Sequence, residues 1–136
     1  SRTAKEYNVI SNNAGGGEGI RAPYMAAGEL PESDVLKKIG TGLYLGNLHY
    51  LNWSDCIGGR ITGMTRYACF WVENGEIVAP IQNMRFDDSF YNFFGENLEA
   101  VSNKVEFNPE IGTYESRSLG GTHCPGVLLS SFSLTL

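Results

Sequence analysis

The sequence lacks most of the features that would mark a self-contained catalyst. It has two histidines and three cysteines in 136 residues. No Cys-x-x-Cys pair is among them, so neither a closed zinc site nor a disulfide framework can be read from spacing. No Gly-x-Ser-x-Gly elbow is present to expose a nucleophilic serine at a strand–helix turn. No apolar stretch approaches the ~18–20 residues that span a bilayer. The first residues show no secretory pattern, so a cytoplasmic protein with no membrane partner is the expectation. Ten Lys and Arg stand scattered against fifteen Asp and Glu, giving a net charge of −5. That balance offers no surface for neutralising phosphates and argues against direct nucleic-acid binding. An initiator Met is also missing: Ser1-Arg2-Thr3-Ala4 opens the chain, as in a chopped or processed product, and equally after Met removal or trimming of a tag.

What is present is glycine and apolar residues. Seventeen glycines favour a turn-dense, β-rich chain over a helical bundle. The length fits one domain under the usual ~100–200 residues. We therefore expect residues 1–136 to form a single α+β domain, β-dominated, with a mostly antiparallel sheet or barrel-like arrangement and one or two short helices. Residues 1–30 are expected to be a partly flexible lead-in. Within it Asn12–Gly19 reads as a loop; without a preceding strand and a closing Lys-Ser/Thr pair it is not a phosphate cradle.

Pro31–Ile39 has the pattern of a short helix, with Ser33 or Asp34 able to cap it and Gly40 to end it. Gly42–Leu51 is apolar on both alternating faces, which predicts a central strand covered on both sides. Asn52–Gly59 reads as a loop, Arg60–Thr65 as a lead-in, and Arg66–Val72 as a second strand. Glu73-Asn74-Gly75-Glu76 predicts a tight hairpin returning through Ile77–Ile81, because a type I′ turn needs positive φ at both central residues. Phe90, Phe94, Leu98 and Val101 fall on one helical face and predict a helix over Asp87–Val101. Shorter strands are expected at Lys104–Phe107 and Thr113–Arg117, and a buried terminal strand over Val127–Leu136.

Four groupings invite chemistry. Asp87-Asp88 reads more simply as helix-start carboxylates than as an acid pair. Ser130 and Ser131 with His49 or His123 lack the setting of a nucleophile. His49, mid-strand between Leu48 and Tyr50, reads as a packed core histidine. His123-Cys124 lies in the turn-rich Gly120–Gly126 run, where a thiol is accessible and a good soft zinc donor, yet two or three further ligands are required.

The stretch GTGLYLGNLHYLNWSDCIGGRITGMTRYACFWVENGEIVAPIQNMRFDD, from Gly40 to Asp88, resembles the C-terminal domain of the TldD/PmbA family, whose members have also been called modulators of DNA gyrase. The resemblance lies in the Gly-Thr-Gly-Leu strand opening, Asn47-Leu48-His49-Tyr50, Arg60–Arg66 and above all the Phe70–Pro80 hairpin. It implies a zinc metallopeptidase acting on peptides or unfolded chains, probed through an HExxxH helix that supplies two histidines and a general base, with a cysteine near the C-terminus as third ligand. By that resemblance Cys124 is the metal ligand, although Pro125 stands where the family has Gly. No HExxxH occurs in this chain, so the resemblance implies a fragment that is inactive and zinc-free alone, its histidine ligands lying outside it. It also implies a homo- or heterodimer with a family member. The alternatives are a non-catalytic, PmbA-like assembly subunit and a gyrase-modulator-type regulator. The Thr62–Arg66 loop would border the peptide cleft.

Overall fold

The computed structural model describes residues 2–8, 22–113 and 120–135. The expected loop at Asn12–Gly19, and all but the first residue of the expected strand at Thr113–Arg117, lie outside them. The elements in chain order are α1 (Arg2–Glu6), a 3-10 turn (Glu32–Asp34), α2 (Val35–Ile39), β1 (Gly42–Leu45), β2 (Leu48–Asp55), β3 (Arg60–Thr65), β4 (Cys69–Glu73), β5 (Glu76–Pro80), β6 (Arg85–Ser89), a π-helical turn (Asn92–Glu96), β7 (Leu98–Pro109), β8 (Gly121–Leu129) and β9 (Leu134–Thr135). The strands form three sheets, ordered β1-β4-β5, β2-β3-β6-β9 and β7-β8. The α+β, β-dominated expectation holds; among the described residues no sheet closes into a barrel. No described helix is long and apolar enough to cross a membrane.

The chain divides into two compact units, one of residues 1–26 and 105–125, the other of residues 27–104 and 126–136. The larger unit carries two of the sheets. Its most local feature is the hairpin between β4 and β5, where Asn74 and Gly75 take φ of 50° and 79°, as a type I′ turn demands. Gly75 N–H donates to the Gly40 carbonyl at 2.8 Å, so the hairpin tip is fastened to the end of α2. Gly40 itself closes α2 at φ 65°. Neither Ser33 nor Asp34 makes the expected side-chain cap.

The predicted central strand Gly42–Leu51 is instead two strands in two sheets, broken at Gly46-Asn47, and each is the first strand in its sheet order. The break has a steric cause. Gly46 N–H donates to the Ala68 carbonyl at 2.9 Å, and a Cβ on Gly46 would lie 2.5 Å from that oxygen. The chain therefore turns at a residue without a side chain and leaves one sheet for the other. The strand expected over Arg66–Val72 begins late: β3 ends at Thr65, Ala68 adopts φ 54°, and β4 starts only at Cys69. Asn52–Asp55, expected as loop, continues β2.

The helix predicted over Asp87–Val101 does not form. Arg85–Ser89 is β6, paired with β3 on one side and β9 on the other, and Leu98–Val101 begins β7. Only a π-helical turn lies between. Phe90 and Phe94 are 37% and 50% exposed, so the apolar period describes no buried face. Tertiary pairing overrides the local pattern here, as it can for any propensity-level signal. The terminal strand is likewise interrupted, with residues 130–133 separating β8 from β9.

A buried carboxylate holds this region. Asp88 is 1% exposed. Its Oδ1 accepts from Ser89 N–H at 2.8 Å and the Asn92 amide at 2.6 Å, and its Oδ2 from Ser133 N–H at 3.0 Å. These bonds seat Phe132 against Phe86 and Phe93, with ring centroids 5.0 and 5.4 Å apart. The Phe86 ring also covers Gly63, its register partner on β3, where a Cβ would come within 2.8 Å of it. Gly63→Ala is therefore expected to lower unfolding stability by roughly 1–3 kcal/mol through overpacking, measured by denaturant titration.

Burial alone would raise the Asp88 pKa, but the bonds from Ser89, Asn92 and Ser133 outweigh it and hold the group below its ordinary 3.8. The group is ionised in the fold at pH values where the unfolded chain has already taken up a proton. Its stabilisation is complete above the unfolded value and is lost as pH falls through the folded one. Asp88→Asn is expected to cost about 2 kcal/mol at neutral pH and to flatten the acid limb of the stability–pH curve. Equal acid limbs in the two proteins would contradict this.

Candidate functional site

In the smaller unit, the region of Cys124 is built by backbone pairing. Tyr24 forms a parallel bridge with His123: His123 N–H donates to the Pro23 carbonyl at 3.0 Å, and Met25 N–H to the His123 carbonyl at 2.9 Å. The exposed imidazole of His123 is flanked by the rings of Phe107 at 4.7 Å and Tyr24 at 5.7 Å. Gly120–Gly126, expected as a turn-rich loop, is strand β8 from Gly121 onward. The glycine there serves a close approach: a Cβ on Gly121 would stand 2.4 Å from the Asn108 carbonyl.

Cys124 is free and half-buried, and Asn108 Nδ2 donates to its sulfur at 3.4 Å. His123 and Cys124 are consecutive on a strand, so their side chains leave opposite faces and do not converge on one ion. Among the described residues no group of three His, Cys, Asp or Glu is placed to hold a metal. The chemistry of Cys124 suits a soft metal ion: it is a free thiol on a half-buried residue, with an amide donating to its sulfur.

The remaining candidates resolve into structural roles or new surroundings. Asp87 and Asp88 face opposite sides of β6 rather than opening a helix. Arg60 chelates Asp87, Nε and Nη2 both reaching its Oδ1. A hydrogen bond from Ser54 and those from Arg60 hold the Asp87 carboxyl below the usual range. Ser130 bonds to Asn97, through its N–H at 2.9 Å and its hydroxyl at 3.5 Å, with no histidine among its bonding partners. His49 is exposed on β2, not packed in a core. The Thr62–Arg66 segment is no loop: its first four residues belong to β3, an inner strand.

Sequence reasoning missed an open groove of about 320 Å³ in the larger unit, lined by Asn47, His49, Arg66 and Tyr67. It forms where both chain passages switch sheets. The backbone ties them, with Arg66 N–H donating to the Asn47 carbonyl at 3.1 Å. Buried Cys69 adds contacts from its thiol to the Asn47 and Tyr67 carbonyls. The only signal in the sequence was Arg66 itself, ending the Arg60–Arg66 run.

The family pattern described as "PmbA/TldA metallopeptidase C-terminal domain" matches residues 1–136. No curated protein matches the chain in sequence. Solved structures that share the fold include these two. One is a Thermotoga maritima protein named as a candidate modulator of a DNA gyrase, at TM-score 0.68 and 20% identity over 98% of this chain and 29% of that one. The other is TldE from Thermococcus kodakarensis, at TM-score 0.69 and 17% identity over 98% and 29%. The chain thus spans less than a third of the length of either.

The three thiols differ in access, which sets their reactivity order. Cys56 is exposed, Cys124 intermediate and Cys69 buried. In metal-free, native protein a thiol reagent is expected to modify Cys56 first, Cys124 next and Cys69 only on unfolding, as read by mass spectrometry of the labelled peptides.

Proposed function

The chain belongs to the PmbA/TldA metallopeptidase C-terminal domain family, and from that premise we propose that it serves a zinc peptidase by contributing one metal ligand, Cys124, and part of the cleft wall. The histidine ligands and the general base come from an HExxxH helix elsewhere in the intact protein. The observation that carries this reading is the Asn108 amide donating to the sulfur of a free, half-buried thiol on an ordered strand. A thiolate is among the preferred zinc donors, and binding requires it to give up its proton. Zinc held by Cys124 and the histidines would supply Lewis-acid activation of water and of the scissile carbonyl.

The work of this chain's own residues is positional. Asn108 fixes the direction of the sulfur, and the Tyr24–His123 bridge and the close β7–β8 approach at Gly121 hold the strand that carries it. The substrates are peptides or unfolded chains. The active form pairs with a family member, which large exposed apolar side chains support: Trp53, Phe90 and Phe94 form a set of ring contacts on the larger unit, of the kind that marks interaction surfaces. A metal-free assembly subunit is the second reading, favoured by buried Pro125 immediately after Cys124.

Elemental analysis of the intact parent protein separates the two. Stoichiometric zinc is expected, lost in Cys124→Ala and bound roughly 10–100-fold more weakly in Asn108→Ala. Zinc should also shield Cys124 from alkylation. A parent that takes up no zinc after loading with excess metal leaves the assembly-subunit reading in its place.

A further inference from the structure

The hairpin tip between β4 and β5 carries a reactive pair that the peptidase reading does not use. Asn74 is the only asparagine in the sequence followed by glycine. An Asn-Gly pair is prone to cyclise, because no side chain shields the glycine nitrogen that attacks the asparagine amide carbon. Asn74 is exposed. Its backbone N–H donates to the Thr41 hydroxyl at 3.5 Å, and among the described contacts nothing holds its side-chain amide. The attacking atom is placed differently. Gly75 N–H donates to the Gly40 carbonyl at 2.8 Å, and Gly40 caps α2 at φ 65° and ψ −90°. A β-turn's own hydrogen bond joins its first and fourth residues, here the register partners Glu73 and Glu76. The hairpin itself therefore supplies no acceptor for the Gly75 N–H; α2 does. The tip sits close on that helix, where a Cβ on Gly75 would lie 3.1 Å from Lys37 Cα.

We propose that Asn74 is a deamidation site, and that the Gly75–Gly40 hydrogen bond holds the reaction off while the tip stays docked on α2. The chemistry needs only water and hydroxide. While the tip is docked, the Gly75 proton is engaged and the nitrogen is fixed in the turn. When the tip lifts, hydroxide removes that proton and the nitrogen attacks Asn74 Cγ. The new C–N bond closes a cyclic succinimide, the Cγ–Nδ2 bond breaks, and the side-chain nitrogen takes a proton from water and leaves as ammonia. Water then adds at either ring carbonyl. Opening at Cγ leaves an ordinary aspartate; opening at the main-chain carbonyl leaves isoaspartate, whose backbone runs through the former side chain. Both products oppose redocking. Each puts a carboxylate between Glu73 and Glu76, which already face each other as like charges. Isoaspartate also lengthens the backbone, which a two-residue type I′ turn does not accommodate. The modification is thus a one-way release of the hairpin from α2, and it involves neither Cys124 nor zinc.

The test is mass-spectrometric peptide mapping of the intact protein held at mildly alkaline pH, read as aspartate plus isoaspartate at position 74. A synthetic peptide of residues 69–81 gives the rate without the fold. The native protein is expected to react at least roughly tenfold more slowly than the peptide, with the Gly75 N–H protected to a similar degree in hydrogen exchange. Equal rates in protein and peptide overturn the proposal, as does a peptide that does not react at Asn74. Slow reaction in a protein whose Gly75 N–H exchanges freely overturns it too, since that bond is then not the gate. None of these comparisons needs a variant to fold. Gly40→Ala puts a side chain at φ 65° and is expected to turn the acceptor carbonyl away, speeding the reaction roughly tenfold. Gly63→Ala, which strains the same unit away from the tip, is expected to leave the rate within about twofold of the unmodified protein. Equal acceleration by both variants assigns the reaction to unfolding of the whole unit and overturns the gate. An unchanged rate in folded Gly40→Ala protein does the same.

Discussion

The buried carboxylate of Asp88 is the constraint on which the larger unit is arranged. A charge nine-tenths or more removed from water is tolerated only where hydrogen bonds replace its hydration. Here three donors do so, and they come from three places in the chain: the next residue, the π-helical turn, and the segment before β9. Each bond turns a local choice into a tertiary one. Ser89 and Asn92 end β6 in a tight turn rather than a continuing helix. Ser133 brings the C-terminal segment back beside β6, where Phe132 fills the space between Phe86 and Phe93.

Around that anchor the apolar core is small. Among the described residues the buried hydrophobic ones are Cys69, Val72, Phe86 and Phe93, and β5 is exposed along its whole length. Much of the cohesion therefore lies in sheet hydrogen bonds and in close backbone approaches at glycine. Gly46 and Gly63 are two such contacts: one lets the chain leave a sheet, the other lets an aromatic ring lie flat across an inner strand. The exposed Trp53, Phe90 and Phe94 are apolar surface that the unit does not bury within itself.

The functional reading proposed above rests on Cys124, a free, half-buried thiol that accepts from the Asn108 amide. Among the described residues no group of three His, Cys, Asp or Glu is placed to hold a metal. The chain covers 29% of the length of each of the two solved structures it resembles.

What the sequence determined by itself was local. The Asn74-Gly75 hairpin, the closing Gly40, the β-dominated class and the strand around Lys104–Phe107 follow from φ requirements and short periodicity, which act within a few residues. Only the tertiary structure decided that Gly42–Leu51 divides between sheets, that the strand expected from Arg66 begins at Cys69, that Phe90 and Phe94 face solvent, and that His49 sits in a groove instead of a core. Those outcomes depend on contacts such as Gly46 with Ala68, Gly63 with Phe86 and Asp88 with Ser133, made between residues far apart in the chain. A local pattern carries no record of them, because the energy that selects them exists only once the strands have met.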